Sequence, residues 1–219
     1  MISPEKLEAL QTGWVRFVAR FSVSPVEAYP VFDRLVAAHS EPWRHYHTLE
    51  HIAEMLKVVG RLADSSNDLD AIQLAVWFHD SVYDPKAKDN EARSADLMVE
   101  ALSPYLLREG LIPHIRDMIL ATAHTGNAST DPDTMVLLDA DLGILASDEW
   151  RYLKYAEAIR REYDWVPDDA YRAGRTAVLQ AFLNRERIYQ TERFHAVAEE
   201  PARRNLAAEI ERLATGKVT

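Results

Sequence analysis

The histidines and aspartates that interrupt apolar segments are the residues of this chain best suited to chemistry. His47 and His51 stand four residues apart in YHTLEH, and the pair His79-Asp80 follows the apolar run LDAIQLAVWF. Two groups four residues apart on a helix lie on one face, one turn apart, so both histidines can address one site. A carboxylate directly after an apolar run needs a partner, because burying an unpaired charge is costly. When each pattern is considered alone, exposure on the surface or position at a helix end explains it about as well as a functional site does.

Two further groups of the same kind occur downstream. His124 ends the apolar segment ILATAH, where an imidazole also interacts favourably with the helix dipole. Asp139 and Asp141 interrupt VLLDADLGIL. Two residues apart on a helix, they point about 200° apart, so at most one of them faces a shared interior site. The order H, HD, H, D across four apolar segments favours a site for a divalent metal ion, which imidazoles and carboxylates bind.

Helices are predicted to position these side chains. The chain has only 7 glycines in 219 residues, little strand-like alternation and much Ala, Leu, Glu and Arg, which together favour helices. Serine followed by proline, as in Ser3-Pro4 and Ser24-Pro25, predicts helix starts. Segment 69–79 is apolar almost all round and predicts a central, buried helix. The predicted helices lie near 4–20, 25–38, 47–62, 69–79, 89–108, 112–124, 134–146, 149–162, 168–185 and 199–214.

Length and composition predict one domain over residues 1–219. Hydrophobic residues make up 47% of the chain, enough for one sizeable core. The 25 basic and 35 acidic residues leave a formal net charge of -10, which disfavours nucleic acid and anionic lipid as partners. The chain has no cysteine, so any metal must be held by His, Asp or Glu. Without a signal peptide or a run of ~20 apolar residues, we expect a cytoplasmic protein with no membrane partner.

The order of these residues resembles the HD-domain superfamily of metal-dependent phosphohydrolases, which is named for its His-Asp pair. Within it, the chain is similar to a bacterial group of predicted HD phosphohydrolases of about this length. The resemblance implies an all-α, single-domain HD-type helical bundle, with the metal site within about residues 44–145 and the helices of 149–214 packed on it. It runs from about residue 40 to 210 through the segments RHYHTLEHIAEML, LAVWFHDSVYDP, DNEARSA, ILATAHT, LLDADLGILA, IRREYDWVP, GRTAVLQAFLNRERIYQTERF and ARRNLAAEI.

The resemblance also implies a ligand set, in which His51, His79, Asp80 and Asp141 hold one divalent metal ion. Cyclic-nucleotide phosphodiesterases of the same superfamily have YHNxxHA, where the second His binds metal and the first is a general acid, and YHTLEHI is similar to it. DLGIL is similar to the segment that carries their last ligand, which selects Asp141 over Asp139. The mixed nitrogen and oxygen set suits manganese, iron, cobalt, nickel, magnesium or zinc.

The implied reaction is hydrolysis of a small phosphate ester or nucleotide, with water bound to the metal as the nucleophile. Asp80 would orient that water, His47 would protonate the leaving oxygen, and His124 would contact a phosphate oxygen or a second metal. Further candidates come from charged residues near these segments. They are Arg44, Lys86 and Lys88 for phosphate contacts, Arg175 for pairing with a site carboxylate beside the substrate, and Asp84 and Glu91 for fixing a histidine tautomer.

Two other functions stay open from the sequence. Some HD-superfamily members are di-iron oxygenases, which need two more histidines between the HD pair and the final Asp. His114 and His124 lie in that interval, but at ten residues apart they do not easily share one helical face. The other function is a non-catalytic ligand-binding module that keeps a metal for stability, although such a module has no need of His47. The sequence identifies neither the substrate nor the oligomeric state.

Overall fold

The computed structural model of the protein describes residues 2–105, 107–124 and 128–216. Every regular element in these ranges is helical, so the predicted all-α class is confirmed. No helix among them is long and apolar enough to cross a bilayer. The α-helices of the described residues are α1 (Pro4–Val18), α2 (Pro25–Ala38), α3 (Leu49–Arg61), α4 (Leu69–Phe78), α5 (Asn90–Leu102), α6 (Leu111–Ala121), α7 (Pro132–Asp141), α8 (Glu149–Glu162), α9 (Asp168–Leu183) and α10 (Glu192–Ala214).

Capping side chains set the starts of α3 and α10, both of which differ from the prediction. α3 begins at Leu49 because the side chain of Thr48 accepts a hydrogen bond from the backbone N–H of Glu50. α10 begins seven residues earlier than predicted, where the Thr191 side chain accepts from the backbone of Phe194. It then continues through Pro201, which lacks the N–H of a regular helix turn.

Helix ends also differ from the prediction, most of all those of α5 and α7. α5 ends at Leu102 rather than near residue 108. α7 ends at Asp141, and the segment Leu142–Ala146 forms a short 3-10 helix. The change of helix type directly after Asp141 leaves this carboxylate at a helix end, where it can face the ends of α3 and α4.

Two clusters of buried apolar side chains hold these helices together. The first is built on α4, of which seven of the ten residues are buried, so the predicted central helix is confirmed. Trp14 packs edge-on against Trp77 of α4, with ring centroids 5.3 Å apart. The second cluster joins α8, α9 and α10 through Tyr152, Leu179 and Leu206. The end of α7 adjoins both clusters, because Ala140 belongs to the first and Leu142 to the second.

Candidate metal centre and adjoining cavity

Four charged side chains meet where three helix ends converge. His51 lies in the first turn of α3, His79 and Asp80 follow α4, and Asp141 ends α7. Nε2 of His51 lies 3.1 Å from Oδ1 of Asp141 and 4.0 Å from Oδ2 of Asp80. Nε2 of His79 lies 2.9 Å from Oδ2 of Asp80 and 3.7 Å from Oδ1 of Asp141. The four residues implied as metal ligands therefore form one cluster, which we call the His-Asp cluster.

The orientation of His79 tests whether this cluster suits a cation. Its Nδ1 donates a hydrogen bond to the carbonyl of Val76 at 3.0 Å, which directs Nε2 into the cluster. That Nε2 is buried, and among the described residues it has no hydrogen-bond partner of good geometry, although the Asp80 carboxylate is close. Nitrogen and oxygen atoms that are near but misaligned suit ligation of a shared cation better than bonding to each other. The donor set therefore fits a divalent metal ion.

The charges in the cluster balance one another against the cost of burial. Burial alone would lower the pKa of His79, but the carboxylates of Asp80 and Asp141 raise it to about 9. Burial would raise the pKa of Asp80, but His79 and His47 hold it well below its ordinary value. The pKa of Asp141 is likewise lowered, against burial, by hydrogen bonds from His124 and His51. A divalent cation would supply the same positive charge and displace protons from the imidazoles.

His124 joins the cluster through Asp141. Its Nε2 donates a hydrogen bond to Oδ2 of Asp141 at 2.7 Å. Its backbone has φ +53°, in the left-handed region that few non-glycine residues adopt. The guanidinium of Arg185 donates to the carbonyl of His124 at 2.7 Å and so supports this conformation. These two hydrogen bonds thus fix His124 beside the cluster.

His47 is positioned by a loop that wraps around a buried carboxylate. The backbone N–H groups of His45, Tyr46 and His47 donate to Oε1 of Glu162, at 2.7, 2.7 and 3.0 Å. Nδ1 of His47 donates to Oε2 of Glu162 at 2.7 Å, and the hydroxyl of Tyr83 donates to the same oxygen at 2.9 Å. Burial would raise the pKa of Glu162, but His47 and these amides lower it to about 2. Both oxygens of the Glu162 carboxylate therefore accept hydrogen bonds that hold this loop in place.

The sequence predicts that His47 and His51 share one face of a helix, and this prediction is wrong. His47 does lie beside the cluster. Thr48 caps α3, so His47 precedes the helix and shares no helical face with His51. The ring centroids of the two histidines are nevertheless 6.0 Å apart. Burial would lower the pKa of His47, but the Glu162 carboxylate raises it. Its imidazole is thus suited to hold a proton at the wall of the cavity described below.

Glu162 is the main site residue that the sequence analysis missed. The one local signal is its position as the last residue of α8, where the helix dipole disfavours a carboxylate. Asp139, the aspartate set aside in favour of Asp141, has a structural role instead. Its buried carboxylate accepts hydrogen bonds from the N–H groups of Gln190 and Thr191, at 2.6 and 2.8 Å, and so ties α7 to the start of α10.

The predicted phosphate contacts do not converge on the cluster. Arg44 is wholly buried and donates to the Glu41 carboxylate and to the carbonyls of His47 and Asp80, so it ties two loops together instead. Lys86 and Lys88 are exposed. The ammonium of Lys86 lies over a tryptophan ring at the cavity rim, 5.1 Å from the ring centroid, and Lys88 is not among the described residues that line the cavity.

The predicted partners of three other charged residues are also different. Arg175 pairs with Glu209 of α10, at 2.8 and 3.1 Å, and not with a carboxylate of the cluster. Asp84 accepts from the backbone N–H of Lys86, in a turn of its own loop. Glu91 lines the cavity, but within the described ranges neither it nor Asp84 bonds a histidine. The carbonyl of Val76 and the carboxylate of Glu162 orient the histidines instead.

His114 belongs to a separate polar group. Its Nε2 lies 3.1 Å from Oδ2 of Asp133, near the start of α7, and Asp131 lies close to both. The other oxygen of Asp133 accepts hydrogen bonds from backbone N–H groups, so this group has a structural role. His124, by contrast, contacts the residue that ends α7. His114 and His124, the histidines that a second metal would need, therefore contact residues near opposite ends of α7, which is about 15 Å long.

A cavity of about 680 Å³ opens beside the His-Asp cluster. His47, Asp80, His124 and Asp141 line it together with many aromatic and aliphatic side chains of α8, α9 and the segment between them. Residues that follow α4, α6 and α7 are also part of the wall, with Asn90, Glu91, Arg175 and Arg185 among its polar members. The volume is in the usual range for small-molecule sites, roughly 300 to 1,000 Å³. A bound small molecule would thus reach the cluster and the His47 imidazole together.

Comparison of the chain with protein-family models, with curated proteins and with solved structures gives no match. The resemblance to the HD-domain superfamily therefore stays a prediction from the sequence. Function has to be inferred from the side chains of the site.

A buried histidine next to the site makes stability depend on pH. His39 caps α2 and donates from Nδ1 to the carbonyl of Leu35 at 2.9 Å. Burial, and then the nearby charge of Arg44, lower its pKa from 6.5 to about 3. The folded protein thus binds fewer protons than the unfolded chain, so the contribution is complete above about pH 6.5 and is lost as the pH falls toward 3.

We expect His39→Leu to flatten this pH dependence. Between about pH 6.5 and pH 5, the unfolding free energy of the wild type should fall by about 1 to 2 kcal/mol more than that of the variant. Urea unfolding of both proteins at each pH measures the difference, because all other titrating groups are shared. Parallel curves for the two proteins would show that His39 is charged in the folded state.

Proposed function

We propose that this protein is a metal-dependent phosphohydrolase that cleaves a small phosphate ester. The observation that supports the proposal is that two imidazoles and two carboxylates converge at three helix ends. Each imidazole has an Nε2 atom within 4.0 Å of an oxygen of both carboxylates. Among the described residues, Nε2 of His79 is buried in the cluster without a hydrogen-bond partner of good geometry, which suits ligation of a shared cation. A divalent cation is the partner that fits both ligand types.

Different residues of the site would have different roles in such a reaction. A divalent ion held by His51, His79, Asp80 and Asp141 would polarise the phosphoryl group and activate the attacking water. Asp80 lines both the cluster and the cavity, so its carboxylate would orient that water toward the phosphorus. His124, fixed by its bond to Asp141, also lines the cavity and would contact the bound phosphate there.

His47 would supply the proton for the leaving group. Glu162 favours the protonated imidazole and occupies Nδ1, which leaves Nε2 as the donor. The ring also packs against Tyr83, with centroids 4.2 Å apart, so its orientation is fixed. General acid catalysis by a positioned histidine contributes about 10²- to 10⁴-fold in rate.

Elemental analysis and a phosphate-release screen test the proposal together. The purified protein should hold one divalent ion per chain in the cluster and release phosphate from one or more phosphate esters in the presence of Mn²⁺, Ni²⁺ or Co²⁺. A chelator should remove the activity, and the metal should restore it. Stoichiometric metal without turnover on chromogenic monoesters, diesters and a metabolite panel would contradict the proposal.

A further inference from the structure

We infer that the cavity binds a phosphate monoester of an aromatic or similarly flat, apolar alcohol, with Arg185 contacting the phosphate. The inference rests on the proposed function, because it names the substrate class of the same site. It depends on three features of the cavity, each taken over the residues that the structure describes. They are the apolar character of much of its wall, the small number of its cations and the location of Arg185, which has no carboxylate partner among those residues.

The wall away from the cluster is mostly aromatic and aliphatic. Tyr163, Trp165, Tyr171 and Phe182 line it, and Val178 adds an aliphatic side chain. Burial raises the pKa of Tyr171 to about 12, so its hydroxyl stays neutral. Rings of this kind bind flat apolar groups by burial and by offset or edge-to-face packing. A sugar or polyol would lose hydrogen bonds to water here and regain few.

The cations that line the cavity suffice for one phosphate. Arg175 and Arg185 are the Arg or Lys residues among its described lining residues. Arg175 is committed to Glu209, and its guanidinium covers the ring of Tyr155 at 5.2 Å. Di- and triphosphates are bound by several cations, whereas here the carboxylate of Glu91 and those of the cluster surround the same space. A second phosphate would therefore be disfavoured.

Arg185 is placed to contact a phosphate next to the cluster. Its Nη2 donates to the carbonyl of His124, whose ring bonds Asp141. Its guanidinium packs over Phe182 at 4.5 Å from the ring centroid. No carboxylate of the described chain lies within ion-pair distance of it, and an arginine stays charged even though burial lowers its pKa. Arg185 therefore joins the apolar wall to the cluster.

Calorimetric titration of the purified protein tests the substrate class without any need for turnover. The probes are 1-naphthylmethylphosphonate, methylphosphonate, methylenediphosphonate and the phosphonate analogue of adenosine monophosphate, none of which is a hydrolysable ester. We expect the naphthyl probe to bind at least about tenfold more tightly than each of the others. Equal or tighter binding of the diphosphonate or of the nucleotide analogue would overturn the inference.

Two glycines allow a matched pair of variants. Gly174 of α9 lines the cavity, and a Cβ added to it meets no atom within 4 Å. Gly174→Leu should fill part of the cavity and weaken naphthyl binding by about tenfold, with methylphosphonate binding unchanged. Gly13 of α1 is also a helical glycine with open space, and it does not line the cavity. Gly13→Leu should leave both affinities unchanged, and an equal effect of the two substitutions would contradict the inference.

Arg185→Gln tests the phosphate contact, because glutamine keeps a polar side chain but removes the positive charge. We expect about tenfold weaker binding of both the naphthyl and the methyl probe. Unchanged binding of both probes would remove Arg185 from the inference. Selective naphthyl binding without turnover would leave the inference standing and contradict the proposed function, whereas turnover without this selectivity would do the reverse.

Discussion

Under the proposed function, Asp80→Ala is expected to yield a folded protein that binds no divalent metal ion and shows no measurable hydrolysis. The Asp80 carboxylate lies close to both His79 and His51, and its charge raises the pKa of His79 more than the charge of Asp141 does. Its loss removes one of four ligands and one of two negative charges. The loss of metal affinity should exceed the roughly 10- to 100-fold loss that follows removal of a group that only hydrogen-bonds a metal ligand. Metal content by mass spectrometry and phosphate release measure the two losses.

Asp84→Ala is the matched control for this substitution. Asp84 lies four residues further along the same loop, but it is exposed and accepts its hydrogen bond from the backbone of Lys86. The control should keep both metal and activity. Unchanged metal content in Asp80→Ala, with the fold verified by circular dichroism, would refute the proposed ligand set.

Glu162→Gln is expected to keep the metal but slow hydrolysis by about a hundredfold. An amide still accepts hydrogen bonds from the loop, but it carries no charge to favour the protonated form of His47. The proton that the leaving oxygen needs would therefore be held less often. Glu162 is a positioning residue, because it acts through His47.

The choice of leaving group separates catalysis from simple stability in this variant. A nitrophenolate departs without a proton, whereas an alkoxide requires one, so the loss should be larger for alkyl phosphates than for p-nitrophenyl phosphate. His47→Ala should show the same pattern. Glu157→Gln, at an exposed position of α8 that pairs with Lys154, should change neither rate. Equal losses for both leaving groups in Glu162→Gln would mean that this residue only stabilises the loop.

The sequence predicted the helices well, because apolar periodicity and capping are local. α4 is the clearest example, since its run of apolar residues has no polar face and therefore had to be central. The starts of α3 and α10 were less accurate. Thr48 and Thr191 cap these helices, but neither was recognised as a cap from the sequence alone.

The cluster was predictable, and its supporting contacts were not. His51, His79 and Asp141 could be chosen because each stands out in an apolar segment and because their order resembles a known pattern. The bond between Glu162 and the His47 loop joins residues 115 apart, and such pairs leave no periodic signal. The same is true of Arg175 and Glu209, whose pairing depends on how α9 and α10 pack.

Glu162 follows every residue of the cluster in the chain, so the parts of the site are synthesised in a fixed order. Every residue of the cluster has left the ribosome's active site before Glu162 is added, because the last of them is Asp141. The nascent chain thus contains all the proposed ligands while the backbone amides of residues 45–47 still lack the carboxylate that they bond. Under the proposed function, metal binding and the positioning of His47 would then be separate steps of maturation, and the second would require α8.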